Sequence, residues 1–138
     1  METKWTPEQQ KEHRKLWVEA LRSGKYQQGN AVLKSPSGAM CCLGVACEIS
    51  GVLPWASEPV GTGSTTGFEL VGPERKYGRF YAPRPVIEWL GLADDAGSFG
   101  DRRDCLAGMN DDGAPFTAIA DIIEREPDGL VTKATANV

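Results

Sequence analysis

The sequence predicts an α+β fold in which three or four short helices pack with one or two small antiparallel β-hairpins. Two observations predict it. Apolar residues recur at three- and four-residue spacing between proline-led starts and glycine stops, which is the pattern of short amphipathic helices. Elsewhere, short apolar segments are separated by turn residues, which is the pattern of hairpins. At 138 residues, 41% hydrophobic and 25% charged, we expect residues 1–138 to form a single domain around one core.

The most continuously apolar stretch, residues 39–50, is the segment around which we expect the other elements to pack. It contains three of the four cysteines, Cys41, Cys42 and Cys47, and Gly51 follows it. Its apolar residues repeat at helical spacing, and glycine readily adopts the left-handed conformation that ends many helices. We therefore predict a short buried helix here, in which the cysteines are reduced thiols packed in the core.

The first helix is predicted from its start signal. Thr6 is a good N-cap, Pro7 suits the first turn and Gln9 stands at the capping-box position, so we expect a helix to about Ser23. Its expected apolar stripe comprises Leu16, Trp17, Ala20 and Leu21, with His13 beside it. The residues of this helix expected to face water are Lys11, Glu12, Arg14 and Lys15.

Two more helices are predicted by the same signals. One begins at the prolines of residues 83–85 and ends before Gly91, and the other begins at Pro115 and ends before Pro127. The segment 105–109 is apolar, but its spacing indicates no particular element.

Two hairpins are predicted from short apolar segments around turns. Residues 31–34 are expected to pair with 39–41, and residues 68–71 with 78–81.

Three segments lack either pattern. We expect residues 58–67, rich in glycine, serine and threonine, to form a mobile loop and residues 94–104 to form a polar connection. Residues 130–138 fit either an edge strand or a loose tail.

Composition excludes several function classes. The net charge of −4 argues against a protein that coats nucleic acid through bulk electrostatics, although a local basic patch remains compatible with it. The N-terminal residues lack the apolar core of a signal peptide, and no run is long enough to span a membrane. We expect a cytosolic protein.

No metal site or cofactor is expected. The cysteine spacing does not match the separated ligand pairs of structural zinc, and His13 is the only histidine. The Asn110 to Gly113 turn resembles a calcium loop only in part, because Ile119 stands where the closing glutamate should be.

Four motifs resemble a family of small uncharacterised proteins encoded by bacteriophages and prophages. The motifs are Leu21-Arg22-Ser23-Gly24-Lys25-Tyr26 with Gln28-Gly29, Cys41-Cys42-Leu43-Gly44-Val45-Ala46-Cys47-Glu48, Trp89-Leu90-Gly91-Leu92, and Met109-Asn110-Asp111-Asp112-Gly113 with Phe116, Ile119 and Ala120. The resemblance implies a phage-type protein in the cytoplasm of a bacterial host. Small phage proteins of this kind often inhibit a host component or sequester a small molecule used in host defence, so the implied partner is a nucleotide-like metabolite or a host protein.

Two clusters are candidate sites for an anionic ligand. Arginine grips phosphate bidentately and aromatic rings stack on bases, which makes their combination suitable for a nucleotide. The predicted ligand-binding residues are Arg22, Lys25, Tyr26 and Gln28 in the first cluster, and Arg79 and Arg84 in the second. The alternative for the first cluster is that its cations interact with the C-terminal dipole of the first helix.

Other hypotheses give the chain a different function. Cys42, near a helix N-terminus, could act as a nucleophile with His13 as base and Asn110 as orienting group, as in a cysteine-dependent hydrolase or transferase. Trp5 and Trp55 could instead anchor a protein interface. A homo-oligomeric structural component is a third possibility.

Overall fold

Six helices and one two-stranded antiparallel sheet form the regular structure of the described residues. The computed structural model describes residues 4–100 and 104–136. The elements are α1 (Pro7–Arg22), α2 (Cys42–Ser50), α3 (Arg84–Leu90), β1 (Ser98–Phe99), β2 (Asp104–Cys105), α4 (Leu106–Asp111), α5 (Phe116–Arg125) and α6 (Lys133–Ala136). The predicted α+β class is confirmed.

Helix α1 begins as the sequence predicts, with Thr6 as N-cap and a complete capping box through Gln9. It packs against α2, α3, α5 and α6. The expected faces are partly wrong: Leu16 is 50% exposed, whereas Arg14 is only 2% exposed. The reason is that Arg14 is bound by groups far away in the sequence, which a helical pattern does not contain.

The predicted central helix is confirmed as α2, which ends at Gly51 with a φ of 62°. The helix is buried from Cys42 to Cys47, and the Trp17 Nε1 of α1 donates a hydrogen bond of 2.9 Å to the carbonyl of Cys42. At Gly44 the backbone of the preceding segment comes very close: a Cβ built there would lie 1.8 Å from the Leu33 carbonyl oxygen. Glycine is therefore required for α2 to dock.

The two predicted hairpins are not regular strands. In the first, the backbone pairs only as an isolated antiparallel bridge between Lys34 and Met40, supplemented by a parallel bridge from Gln28 to Met40. Met40 directly precedes Cys41, the N-cap of α2, so the bridge does not extend into a longer ladder. The prediction placed the turn correctly but overestimated the length of the strands.

The second hairpin has a different register from the predicted one. Val71 pairs with Lys76, and the Leu70 carbonyl accepts a hydrogen bond from the Tyr77 amide. The Gly72 amide donates a hydrogen bond to the Arg75 carbonyl, which closes the turn of this hairpin. Residues 78–81, which were expected to pair with 68–71, therefore lie outside the paired segment. Residues 58–67 contain a short 3-10 turn, Gly63–Thr65, and are closed by a bridge between Val60 and Gly67.

The regular sheet lies where a polar connection was expected. Strand β1 lies within residues 94–104, and β2 begins at the last of them. The apolar segment 105–109, which matched no pattern, forms most of α4. Strands of two residues are too short for alternation to reveal them.

Residues 130–136 pack against the rest of the protein and do not form a loose tail. Leu130 is fully buried, Val131 forms an isolated bridge with Leu92, and α6 follows. Thr135 of α6 accepts a hydrogen bond from Arg14. This segment therefore packs on α1; residues 137 and 138 lie outside the described residues.

Candidate functional site

Arg22, the first predicted ligand-binding residue, is held by carboxylates of α5. Its guanidinium lies 2.6 Å from Asp121 Oδ1 and 3.0 Å from Glu124 Oε2. The hydrogen bond to Glu124, followed by that to Asp121, raises the pKa of Arg22, and the same contact lowers the pKa of Glu124. Arg22 thus joins α1 to α5.

The remaining residues of the first cluster are not brought together around a site. The Lys25 ammonium lies 5.8 Å from the centre of the Tyr26 ring. Gln28 is fully engaged: its Nε2 donates to Asn110 Oδ1 and the Ala114 carbonyl, and its Oε1 accepts from the Phe116 amide. Gln28 therefore fixes the connection between α4 and α5.

The second cluster surrounds a surface groove of about 400 Å³, here called the aromatic–arginine groove. The described residues that line it are Arg75, Tyr77, Gly78, Phe80, Tyr81, Ala82, Pro83, Arg84, Ile87 and Asp95. Phe80 is 38% exposed and Tyr81 is 53% exposed, so both present aromatic surface to solvent at the groove. The groove combines cationic and aromatic surfaces.

The arginines of this region differ in how they are held. The Arg75 guanidinium lies 4.6 Å from the centre of the Tyr77 ring, and Arg84 donates through Nε to Glu88 at 3.0 Å. Arg79 lies outside the groove lining, with its Nε bound to the Thr65 carbonyl and its guanidinium over Phe80. Of the two predicted arginines in the second cluster, the structure places Arg84 at the groove and gives Arg79 a supporting position.

Asp95 enters the groove from a loop that is itself well fixed. The Asp95 carbonyl accepts a hydrogen bond of 3.2 Å from the Ala82 amide. The preceding Asp94 accepts hydrogen bonds from the amides of Ala96 and Ser98. Burial by itself raises the pKa of Asp94, but these hydrogen bonds outweigh it, so the pKa is lowered. Asp94 therefore holds the loop that presents Asp95.

A second groove lies between α1 and α5 and has a volume of about 370 Å³. We call it the helix groove; its described lining residues are Lys11, Arg14, Lys15, Val18, Glu19, Arg22, Ile123, Glu124 and Glu126. Arg14 binds Glu126 at 2.8 Å, the Leu90 carbonyl at 2.8 Å and the Thr135 hydroxyl at 2.9 Å. Cations of this groove are thus neutralised within the protein.

The chain matches one known family across residues 9–127, and that family is described as a domain of unknown function, DUF8296. The chain belongs to the DUF8296 family. No curated protein and no solved structure matches it. The part of the chain that matches the family, residues 9–127, contains all the described lining residues of the aromatic–arginine groove. It also contains Cys42 and His13.

The structure of the DUF8296 protein does not bring Cys42 and His13 together as a catalytic pair. Cys42 is fully buried, its Sγ points to the Leu106 carbonyl at 3.6 Å, and burial raises the pKa of its thiol. The His13 Nδ1 lies 2.6 Å from the Trp89 carbonyl, and its ring stacks on Trp89 at 4.0 Å. Asn110 Oδ1 accepts from the Cys42 amide rather than from His13. Each group therefore has a structural role.

The two tryptophans considered as interface anchors pack against the core of the DUF8296 protein. Trp55 Nε1 donates to Glu48, and the Lys34 ammonium lies 5.1 Å from the centre of its ring. Trp5 meets the His13 ring edge-on at 4.9 Å.

Two charged residues of the groove, Arg75 and Asp95, have no site role in the predictions made from the sequence. Arg75 could have been found, since it lies in the same predicted hairpin as Arg79 and two residues before Tyr77. Asp95 gave no signal, because it lies in a polar segment and reaches the groove only through the backbone contact with Ala82.

The described part of this DUF8296 protein lacks a membrane-spanning helix and a metal-binding cluster. None of its helices there is long and apolar enough to cross a membrane. Within the same residues, no three histidine, cysteine or acidic side chains are grouped so that they could hold a metal ion.

Proposed function

We propose that this protein acts by binding, and that its ligand is a nucleotide-like anionic metabolite held in the aromatic–arginine groove. The observation that carries the proposal is the convergence of two arginines with three aromatic side chains on one groove, in a chain whose net charge is −4. The lining of this groove carries two arginines against one carboxylate, Asp95, which makes it locally positive on an acidic protein.

The chemistry of the two arginines supports an anionic ligand. Arg75 lies against the Tyr77 ring, and its guanidinium makes no ion pair with a carboxylate among the described residues. Arg84 uses only Nε to hold Glu88, which leaves its two terminal nitrogens without protein partners in that part of the chain. Guanidinium groups with spare donors bind phosphate oxygens in pairs.

The aromatic residues supply the surface for a base. Tyr77, Phe80 and Tyr81 border the same groove, and base stacking on an aromatic ring contributes about 1–3 kcal/mol. A volume of about 400 Å³ also falls within the range of small-molecule sites.

The biological role that fits this site is sequestration. A phage-type protein in the cytoplasm of a bacterial host would withdraw a nucleotide-like molecule from host defence without converting it. The proposal contains no chemical step, since stacking surfaces and guanidinium donors in the groove are sufficient for binding.

The test is calorimetric titration of the full chain with nucleoside monophosphates. Changing Arg75 and Arg84 together to alanine should weaken binding by at least about tenfold, because each arginine can donate charge-assisted hydrogen bonds to the phosphate. The matched control is the double variant Lys15→Ala and Arg22→Ala, which also removes two positive charges, here from the helix groove, and should leave the affinity unchanged. Equal losses in both variants would contradict this site, and no binding by the wild-type protein would contradict the function.

A second candidate function is inhibition of a host protein, favoured by the exposure of Phe80 and Tyr81. Exposed aromatic side chains beside arginines are common anchors of protein interfaces. If a host protein is captured by the wild type but not by a variant with Phe80→Ser and Tyr81→Ser, this function is supported. Capture that is equal for both proteins rules out the groove as the interface.

The cysteine-dependent enzyme can be tested by thiol labelling at neutral pH. Cys41 and Cys42 are buried, and burial raises the pKa of Cys41 to about 11, so both should react only on unfolding. Cys105 is less buried and should be modified first. Rapid selective labelling of Cys42 in the folded protein would restore the enzyme hypothesis.

A further inference from the structure

The aromatic–arginine groove contains a carboxylate that phosphate binding does not explain. Asp95 is the one acidic residue among its described lining residues. Within the part of the chain that the structure describes, this carboxylate accepts no hydrogen bond and forms no ion pair. A negative charge in the same groove as Arg75 and Arg84 weakens binding of a simple anion, so a ligand that suits this lining carries hydrogen-bond donors as well as a phosphate.

The backbone at Asp95 is held in place by contacts within the protein, while its exposed side chain stays accessible to a ligand. Its carbonyl is bound to the Ala82 amide, directly after Tyr81, and the Asp94 side chain closes the turn that follows. A side chain on a backbone that is already ordered loses less conformational entropy on binding. Asp95 is therefore suited to a specific contact.

The chemistry of a carboxylate narrows the choice of base. An ionised carboxylate has two acceptor oxygens and no donor, so it pairs best with two adjacent N–H groups that point the same way. Guanine offers such a pair, N1–H and the N2 amino group, along its Watson–Crick edge. Hypoxanthine retains N1–H alone, and adenine offers only its N6 amino group there.

We propose that Asp95 is the residue that determines base specificity, and that the groove binds a guanine nucleotide. The inference rests on the proposed function and names the class of ligand for that site. The base lies against the aromatic surface with its Watson–Crick edge at Asp95. The phosphate lies at Arg75 and Arg84, whose positive charges attract it.

The experiment is titration of the full chain with GMP, IMP and AMP under identical salt conditions. We expect GMP to bind about tenfold more tightly than AMP, with IMP between them, since a good bidentate pair discriminates bases by about that factor or more. In Asp95→Asn the preference should disappear because GMP binding weakens, while AMP binds at least as tightly as before. Asp112→Asn removes an equal charge elsewhere on the surface and should keep the preference.

The outcomes separate this inference from the proposed function. Equal binding of all three nucleotides by the wild type leaves the site in place but overturns guanine selection. A GMP preference that survives in Asp95→Asn removes Asp95 as its cause. If none of the three nucleotides binds, both the inference and the proposed function are wrong. Unaltered thermal unfolding of Asp95→Asn shows that a lost preference is not a lost fold.

Discussion

The helix groove and the aromatic–arginine groove have similar volumes, about 370 and 400 Å³, and both carry arginines. They differ in what those arginines contact. In the helix groove, Arg14 and Arg22 bind the carboxylates of Glu126, Asp121 and Glu124. In the other groove, Arg75 lies on an aromatic ring and Arg84 keeps two terminal nitrogens unbound by the described residues. Neutralised cations hold helices together, whereas cations with spare donors can bind a ligand.

The largest effect that tests this comparison is expected from Arg14→Met. The substitution leaves the Glu126 carboxylate, the Leu90 carbonyl and the Thr135 hydroxyl without their donor. Breaking a buried ion pair from one side typically destabilises a protein by about 3 kcal/mol or more. Urea denaturation followed by circular dichroism should show this loss, whereas Arg84→Met should change the free energy of unfolding by less than about 0.5 kcal/mol.

A double variant, measured beside Glu126→Gly alone, tests whether Glu126 contributes to that loss. Glu126 ends α5 with a φ of 48°, a conformation that glycine adopts more easily. Adding Glu126→Gly to Arg14→Met should recover part of the stability, because it removes both the unpaired carboxylate and the strained backbone. If Arg14→Met is as stable as the wild type, the assignment of a structural role to this groove is wrong.

An intermediate effect is expected from Glu88→Gln at the other groove. Glu88 holds the Nε of Arg84 and adds a negative charge close to it. Its neutralisation should strengthen nucleotide binding about twofold to threefold, in keeping with the small energies of exposed ion pairs. The control is Glu12→Gln, which neutralises the ion-pair partner of Lys15. Calorimetry measures the nucleotide affinity of both variants. Weaker binding in Glu88→Gln would show that Arg84 needs Glu88 for its orientation.

The smallest effect concerns pH and the ion pairs of Arg22. The hydrogen bond from Arg22 lowers the pKa of Glu124 below its ordinary value of 4.5. A lowered folded-state pKa stabilises the fold fully above pH 4.5, and the stabilisation is lost as the pH falls through that lower pKa. The difference in melting temperature between wild type and Glu124→Gln should therefore be present at pH 7 and shrink in acid. A constant difference would exclude this ion pair as its cause.

Local signals in the sequence were sufficient to predict the main helices. The capping box at Thr6, the apolar run of α2 and its stop at Gly51 all depend on neighbours within a few residues. The pairing of the hairpins was predicted less well, because register depends on which backbone groups remain free after the rest of the chain has packed. Leu70 illustrates this, since its carbonyl pairs with Tyr77 while its bridge partner is Trp55.

The candidate site was predicted only where its residues are close in sequence. Arg84 was found in this way, but the role of Arg22 was not, because its carboxylate partners lie 99 and 102 residues away. The same reason explains Arg14, whose partners lie 76, 112 and 121 residues away. A charge pattern shows where cations are; it does not show which anions the fold brings to them.

The close contact at Gly44 has a consequence for reading a saturation mutagenesis experiment. Even alanine at this position would collide with the backbone at Leu33, so every substitution should deplete folded protein. Asp95, in contrast, should accept many residues when folding is the selected trait and few when nucleotide binding is selected. If substitutions at position 44 are depleted under both selections, the residue is needed for packing. If substitutions at position 95 are depleted only under selection for nucleotide binding, the residue is needed for recognition.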